Sequence, residues 1–197
     1  MGSIKKVYEA LINRKGKVCH KSEIIKIIEE YKKKFKSHLN TGNTLKYLVR
    51  HNYLKRIFKK YYYINSYDER GGYLKYEDKE IVFIVLNKLN IKWYVGLSSA
   101  LYSSRKIWQV PTTLHIINNK LSGIKRILGL KIRFLKIKEN LIFGIKKSHT
   151  TNNIPYYCSL PSKTYIDMVY FRMNDKLVKD KDTKKYLRYY PKWVGNK

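Results

Sequence analysis

The stretch TGNTLKYLVRHNYLKRIFKKYYYI, residues 41–64, joins a helical pattern to two short runs of β-prone residues. Leu45, Leu48 and Val49 recur at the spacing of one helix face, which predicts a helix that turns these three side chains inward. The later runs, LKRI and YYYI, are separated by the basic FKK and predict a β-hairpin. The stretch therefore predicts one helix followed directly by a hairpin.

Two further helical patterns precede this stretch. Residues 4–12 carry apolar side chains at helical spacing, and Gly16 interrupts the pattern. Ser22 is a suitable N-cap for a second helix, whose apolar face extends over 24–35. Three helices and a hairpin in this order are typical of a winged helix-turn-helix domain, which we predict for residues 1–66. In such domains the recognition helix, here the third, enters the DNA major groove.

The face of the third helix that lies opposite its apolar residues is polar and basic. Asn and Arg side chains can read adenine and guanine, while Thr, Lys and Tyr can hold phosphates. The basic residues of the hairpin suit phosphate or minor-groove contacts. The alternative is a helix face that is only solvated, as in any very basic chain. The predicted DNA-binding residues are Thr41, Asn43, Thr44, Lys46, Tyr47, Arg50, Lys55, Arg56, Lys59 and Lys60.

The chain as a whole is strongly positive. It has 43 Lys and Arg against 14 Asp and Glu in 197 residues, a formal net charge of +29. A protein this basic is expected to bind a polyanion, and DNA, RNA and an anionic membrane are the candidates. Because the sequence has neither an apolar run of transmembrane length nor a signal-peptide pattern, we expect a cytoplasmic protein that binds nucleic acid and no membrane.

The positive charge is unevenly distributed. The net charge is +13 in residues 1–65 and −1 in residues 66–90. The near-neutral part contains DERGG at 68–72, a composition typical of a linker. We therefore predict a domain boundary there and a second domain over residues 73–197.

The second domain combines helical and β-prone patterns. Its first helical pattern is apolar nearly all round, which is typical of a buried helix. These patterns predict an α+β chain: an N-terminal winged helix-turn-helix followed by a mixed α/β C-terminal domain with a small antiparallel sheet. The predicted helices are 75–90, 98–104, 161–172 and 176–189, and the predicted strands are 114–117, 132–137 and 141–145.

The second domain is also basic. The strand that bears Lys131 and Arg133, with Lys125 and Arg126 before it, could extend the DNA footprint. It could equally present a patch to an acidic protein, and the sequence leaves both alternatives open.

Patterns typical of catalytic and metal sites are weak. Residues 91–147 contain a single acid, Glu139, so a two-carboxylate metal site cannot be built there. The chain has no Gly-rich phosphate loop and no nucleophile elbow. Cys19 and Cys158 are far apart and show no ligand spacing. We therefore expect no enzyme activity, no cofactor and no metal.

Two segments of the second domain are distinctive. They are WYVGLSSALY at 93–102, closely followed by QVP at 109–111, and PSKTYIDM at 161–168. These segments resemble the Tyr-x-Gly-Leu-x-x-Ala-Leu, Gln-x-Pro and Glu-Lys-Thr-x-x-Asp patterns of the AbiEi-like antitoxins of AbiE type IV toxin–antitoxin systems, with Ser162 in place of the acid. Together with the winged helix, the resemblance covers approximately residues 3–172.

The resemblance implies a transcriptional regulator of viral defence that is not an enzyme. Its winged helix would bind inverted repeats of double-stranded DNA in its own promoter and repress the operon. Its C-terminal domain would counteract a nucleotidyltransferase-like toxin encoded next to it, directly or only functionally. The alternatives are a stand-alone winged-helix regulator and a nuclease targeted by a winged helix, with Asp167 as the acid to test.

Local chemistry favours a structural role for the two distinctive segments. Lys163 and Asp167 lie at i, i+4 and can pair on one helix face. A pair of this kind on a helix surface contributes only about 0.2–0.5 kcal/mol. We therefore expect these segments to define the C-terminal fold rather than a binding site.

Overall fold

A computed structural model describes residues 2–174 and 181–196 of the chain. The described residues contain eight α-helices and two β-sheets, which is an α+β fold. They pack into two compact units, Met1–Val85 and Leu86–Lys197. None of the described helices has the length and hydropathy needed to cross a membrane. The helix predicted at 176–189 lies partly outside the described residues.

The first unit begins with three α-helices and a three-stranded antiparallel sheet. In the sheet, the last strand is central and pairs with the other two. The helices and the hairpin occur in the predicted order, whereas the first strand was not predicted because its three residues are too few to show a pattern. The elements are α1 (Gly2–Ile12), β1 (Val18–His20), α2 (Lys21–Phe35), α3 (Thr41–Arg50), β2 (Leu54–Phe58) and β3 (Tyr61–Ile64).

His20, not Ser22, is the N-cap of α2. The His20 side chain accepts a hydrogen bond from the backbone N–H of Ser22 at 3.3 Å. The Glu23 carboxylate in turn accepts one from the His20 N–H at 2.9 Å, which completes a capping box. The prediction of Ser22 was wrong because the helix begins directly where β1 ends, at Lys21.

The core of the first unit is formed by apolar side chains from all three helices and the hairpin. On α3 the buried stripe consists of Thr44, Leu45 and Leu48. Val49 is 37% exposed, so the prediction that turned it inward was wrong. At 3.6 residues per turn the stripe is centred on Leu48, and Val49 lies at its border. The core includes Val7, Tyr8, Leu11, Ile24, Ile28, Leu45, Leu48, Leu54 and Ile64.

The segment predicted as a linker packs on the first unit. It forms a 3-10 helix, Asp68–Gly71, in which Glu69 is buried. The Glu69 carboxylate accepts hydrogen bonds from Lys17 Nζ at 2.6 Å and from the Lys75 N–H at 2.8 Å. This buried acid therefore ties the segment 68–72, which has a linker-like composition, to the rest of the unit.

The charge of Glu69 is stabilised by its hydrogen-bond donors. Burial alone would raise the pKa of this carboxyl. Hydrogen bonds from Lys17, Tyr63 and Ser66 outweigh burial and lower the pKa to about 2. Glu69 is therefore charged at neutral pH, and its contacts lie within its own unit.

The second unit is built on a six-stranded mixed sheet, and the division between the two units falls within the helix that precedes this sheet in the sequence. The predicted helix at 75–90 is shorter than expected but buried, as predicted, through Ile81, Val82, Val85 and Leu86. The elements are α4 (Asp78–Lys88), β4 (Trp93–Val95), α5 (Leu97–Ser103), β5 (Thr113–Asn118), β6 (Gly123–Ile127), β7 (Leu130–Lys136), β8 (Ile145–His149), β9 (Pro155–Ser159), α6 (Pro161–Tyr170), α7 (Lys181–Leu187) and α8 (Lys192–Gly195).

The sheet differs from the small antiparallel sheet that the sequence predicts. Its strand order is β6-β7-β5-β4-β9-β8, with β5 parallel to β7 and β4 parallel to β9. The missed strands are short or carry exposed polar and basic residues, as in β6 at the sheet edge. The strand predicted at 141–145 was misplaced because Glu139–Leu141 forms a 3-10 helix and β8 begins only at Ile145.

A buried ion pair joins α6 to β4 and to the C-terminal part of the chain. Lys163 Nζ lies 2.6 Å from Asp167 Oδ1, and both side chains are 0% exposed. The Tyr94 hydroxyl donates to Asp167 Oδ2 at 2.9 Å, and the Tyr190 hydroxyl donates to Oδ1. Lys163 also donates to the Tyr94 hydroxyl at 3.1 Å. The two distinctive sequence segments therefore meet in the core of the second unit.

Burial changes the energetic importance of this pair. The sequence places it at i, i+4, where an exposed pair would contribute only a few tenths of a kcal/mol. Inside the protein, removing one partner leaves the other charge buried without compensation. The pair is therefore a structural requirement of the second unit.

We expect Asp167→Ala to lower the free energy of unfolding by about 3–5 kcal/mol, because Lys163 would be left buried without its counter-ion. Urea unfolding followed by circular dichroism measures this change. Lys92→Ala is the matched control, since it removes an ion pair to Glu139 whose side chains are 64% and 56% exposed. The control substitution should lower the free energy of unfolding by less than about 1 kcal/mol. Equal effects of the two substitutions would contradict the structural role of Asp167.

Candidate nucleic-acid interfaces

Polar contacts at its N-terminus hold α3 in place. The N-cap Asn40 accepts a hydrogen bond from the Asn43 N–H at 3.0 Å. The Thr44 hydroxyl donates to the Asn40 carbonyl at 2.8 Å, and the Thr41 hydroxyl donates to Glu29 on α2. These contacts fix the start of α3, and its buried residues Thr44, Leu45 and Leu48 determine which face is turned to solvent.

The exposed face of α3 contains Asn43, Lys46 and Arg50. These are three of the residues predicted from the sequence, and the spacing of three and four residues places them on one side of the helix. Val49 is exposed beside Arg50 and adds an apolar contact surface. The structure therefore brings together a helix face with amide, ammonium and guanidinium groups.

Three other predicted residues of α3 are placed less favourably for contacting DNA. Thr44 is only 2% exposed, so its side chain is not available to a ligand. Thr41 is half-buried with its hydroxyl engaged by Glu29. Tyr47 is half-buried, and its ring lies 4.0 Å from the ring of His51.

A groove of about 520 Å³ lies beside α3 and is bordered by α2 and β2 as well. Its lining contains Lys46 and Arg50 from α3, Lys21 from the start of α2 and Arg56 from β2. Within the described part of the chain, none of these four cations forms an ion pair with a carboxylate. We call this surface the α3 groove.

Lys21 is a groove residue that sequence reasoning missed. It is the first residue of α2, and its position depends on the short strand β1 and the His20 cap that precede it. A lysine before a helical pattern looks like ordinary solvated charge. The only available signal was a basic residue at the junction between a short strand and a helix.

Of the four predicted basic residues of the hairpin, only Arg56 lines the α3 groove. Arg56 pairs across the sheet with Tyr62, and both residues line the groove. Lys55 is adjacent in the strand, and successive strand residues face opposite sides of a sheet, so it lies on the other face. Lys59 and Lys60 are exposed in the turn, where the Lys59 carbonyl accepts a hydrogen bond from Arg56 Nε at 3.2 Å.

In the second unit the structure separates the four predicted cations. Lys131 and Arg133 lie on one face of β7 and line a pocket of about 310 Å³. Arg126 pairs with Lys131 across the sheet, whereas Lys125 pairs with the buried Ile132 and so lies on the opposite face. We call the pocket at Lys131 and Arg133 the β7 pocket.

His115 also lines the β7 pocket and was not predicted as a site residue. Its Nδ1 lies 3.2 Å from the Ser98 hydroxyl, and its backbone N–H donates to the Ser99 hydroxyl at 3.0 Å. Burial, and then the nearby charge of Arg133, lower the pKa of His115. Among the described residues, no carboxylate lines this pocket, so its lining supplies no acid to complete a catalytic triad with Ser98 and His115.

Metal-ligand chemistry is sparse in the described residues. They contain no group of three or more His, Cys, Asp and Glu side chains that could hold a metal ion. Asp167, the acid of the nuclease alternative, is fully buried against Lys163. Its oxygens are therefore not open to a metal or a substrate.

Comparison with known proteins gives one line of support for the fold. No protein-family model matches the chain, and no curated protein matches it. Among solved structures, the chain is similar to the RV2827C protein from Mycobacterium tuberculosis, with 10% sequence identity and a TM-score of 0.56. The similarity covers 98% of this chain and 74% of that one. At this identity the similarity concerns the fold alone.

We expect Asn40→Ala to lower the free energy of unfolding by about 1 kcal/mol, because it removes the side chain that caps α3. Thermal or urea unfolding measures the change. Asn43→Ala on the exposed face of the same helix is the control and should change stability by less than about 0.5 kcal/mol. A neutral Asn40→Ala variant would show that the cap does not hold this helix.

Proposed function

We propose that the protein is a DNA-binding transcriptional regulator whose first unit is a winged helix. The observation that carries this proposal is the α3 groove, where four cations that form no ion pair with a carboxylate of residues 2–174 or 181–196 border an exposed helix face. Uncompensated cations in a concave surface concentrate positive potential and attract a polyanion. The order of three helices and a hairpin supports the winged-helix assignment.

Duplex DNA fits this surface better than other polyanions do. The ten residues of α3 correspond to a helix of about 15 Å, and the major groove is about 12 Å wide and admits one α-helix. Asn43 and Arg50 carry the groups that pair with adenine and guanine edges. Lys46 and Arg56 are suited to phosphates on either side of the helix.

We further propose that this regulator is an antitoxin that represses its own toxin–antitoxin operon. The support is the resemblance of the two segments around Tyr94 and Lys163 to AbiEi-like antitoxins. In the structure these segments contact each other in the core. Co-expression with the adjacent gene tests the role, since a toxic nucleotidyltransferase-like product should be neutralised by this protein. An adjacent gene without such a product favours the stand-alone regulator.

We expect Lys46→Glu/Arg50→Glu to abolish binding to the DNA upstream of the protein's own gene, because charge reversal places two anions in the interface with the negatively charged duplex. A gel-shift titration measures binding. Lys5→Glu/Lys15→Glu is the matched control: both residues are exposed, lie outside the α3 groove and change the net charge equally. The control should retain most of the affinity.

Two results would overturn the assignment. If the Lys46→Glu/Arg50→Glu variant bound DNA with wild-type affinity, α3 would not be part of the DNA interface. Equal losses in the two double variants would mean that net charge, and not this helix face, determines binding.

A further inference from the structure

An exposed tryptophan lies in the loop between α5 and β5. Trp108 is 91% exposed, whereas the tryptophans Trp93 and Trp193 are 5% and 41% exposed. Val110 in the same loop is 63% exposed, and Tyr102 at the end of α5 is 41% exposed. Large apolar side chains grouped in this way on a surface mark an interaction site.

Cations surround this aromatic loop. Trp108 borders a concavity of about 700 Å³ together with Tyr102, Arg105 and Lys106. Ile107 lines this concavity and also the β7 pocket, so the two are adjacent. We call the combined surface the Trp108 surface. It presents aromatic rings beside Arg105 and Lys106, and next to them the cations Lys131 and Arg133.

In the part of the chain that the structure describes, the Trp108 surface contains no acidic side chain. Neither concavity is lined by an Asp or Glu of this part of the chain, and the sequence has no acid anywhere between residues 81 and 138. The β7 pocket adds neutral hydrogen-bonding groups, the Ser98 hydroxyl and the His115 imidazole, to its two cations. Charge complementarity therefore favours an anionic ligand. The exposed aromatic rings favour a ligand that also carries flat apolar groups.

We propose that the Trp108 surface binds single-stranded nucleic acid, with a base stacked on Trp108 and a phosphate held by Lys131 and Arg133. Stacking on an exposed aromatic ring beside a cationic groove is how proteins bind single strands without sequence preference. Duplex DNA offers no free base face for such a ring. An acidic protein would use the cations but would leave the indole without a stacking partner of its own.

Fluorescence anisotropy of labelled oligo(dT) and oligo(U) of about 12 nucleotides, titrated with the full chain, tests the proposal. We expect Trp108→Ala to weaken binding roughly tenfold, in the range measured for loss of one base-stacking ring. We expect Lys131→Gln/Arg133→Gln to weaken binding and to flatten the salt dependence by about 0.7 for each phosphate that the variant no longer binds. The two oligonucleotides show whether the sugar matters.

Matched controls separate this site from the α3 groove. Lys136→Gln removes an exposed charge of the same strand from its other face and should bind as wild type. Lys46→Glu/Arg50→Glu should retain binding of the single strand, and Trp108→Ala should retain binding of the duplex. If the variants show that one of the two surfaces does not bind nucleic acid, the other surface can still be tested.

The proposal is overturned if Trp108→Ala and Lys131→Gln/Arg133→Gln bind the oligonucleotides as tightly as Lys136→Gln does. It is also overturned if Lys46→Glu/Arg50→Glu abolishes single-strand binding, because the oligonucleotide would then occupy the α3 groove. Trp108 is almost fully exposed, so its replacement should leave the circular dichroism spectrum unchanged.

Discussion

The second unit depends on the contacts that the Asp167 carboxylate makes inside the protein. This carboxylate neutralises Lys163 and accepts the hydroxyls of Tyr94 and Tyr190, so strand β4, helix α6 and the C-terminal part of the chain converge on one side chain. A charge buried this completely is tolerated only with its partner in place. The same burial removes Asp167 from any role as a ligand or a catalytic acid.

Other acids of the chain are also committed to internal contacts. Glu69 binds four neighbours in its own unit, Glu23 caps α2 and Glu29 holds Thr41 at the start of α3. Because the chain has only 14 acidic residues for 43 basic ones, most of its cations have no acidic residue of their own to pair with. The α3 groove and the Trp108 surface are two places where such cations gather beside groups that can recognise nucleic acid. Folding and proposed function are thus linked through the scarcity of carboxylates.

Much of the first unit could be predicted from sequence because its helices are amphipathic and consecutive. Apolar spacing identified three helices and the hairpin, and it also indicated that Lys46 and Arg50 lie on the exposed face of α3. The errors concern residues at the border of a pattern, such as Val49, and positions set by a neighbouring strand, such as Lys21. Glu69 was misassigned because a linker-like composition does not reveal a buried acceptor.

The second unit could be predicted less well because its sheet depends on contacts between distant segments. The parallel pairs β5–β7 and β4–β9 leave no local signature, and β6 looks like a solvated basic run. The i, i+4 spacing of Lys163 and Asp167 was visible, but its burial follows from Tyr94 and Tyr190, which are distant in sequence. The exposure of Trp108 likewise depends on the whole fold, since an isolated tryptophan usually predicts a core residue.

The salt dependence of duplex binding tests the central claim, that the cations of the α3 groove contact DNA phosphates, most directly. Affinity for the upstream DNA would be measured at several salt concentrations for the wild type and for Lys46→Gln/Arg50→Gln/Arg56→Gln. We expect a steep fall of affinity with salt in the wild type, and in the variant a slope reduced by about 0.9 for each phosphate that its side chains no longer neutralise. A flat response in the wild type, or the same slope in both proteins, would contradict the claim.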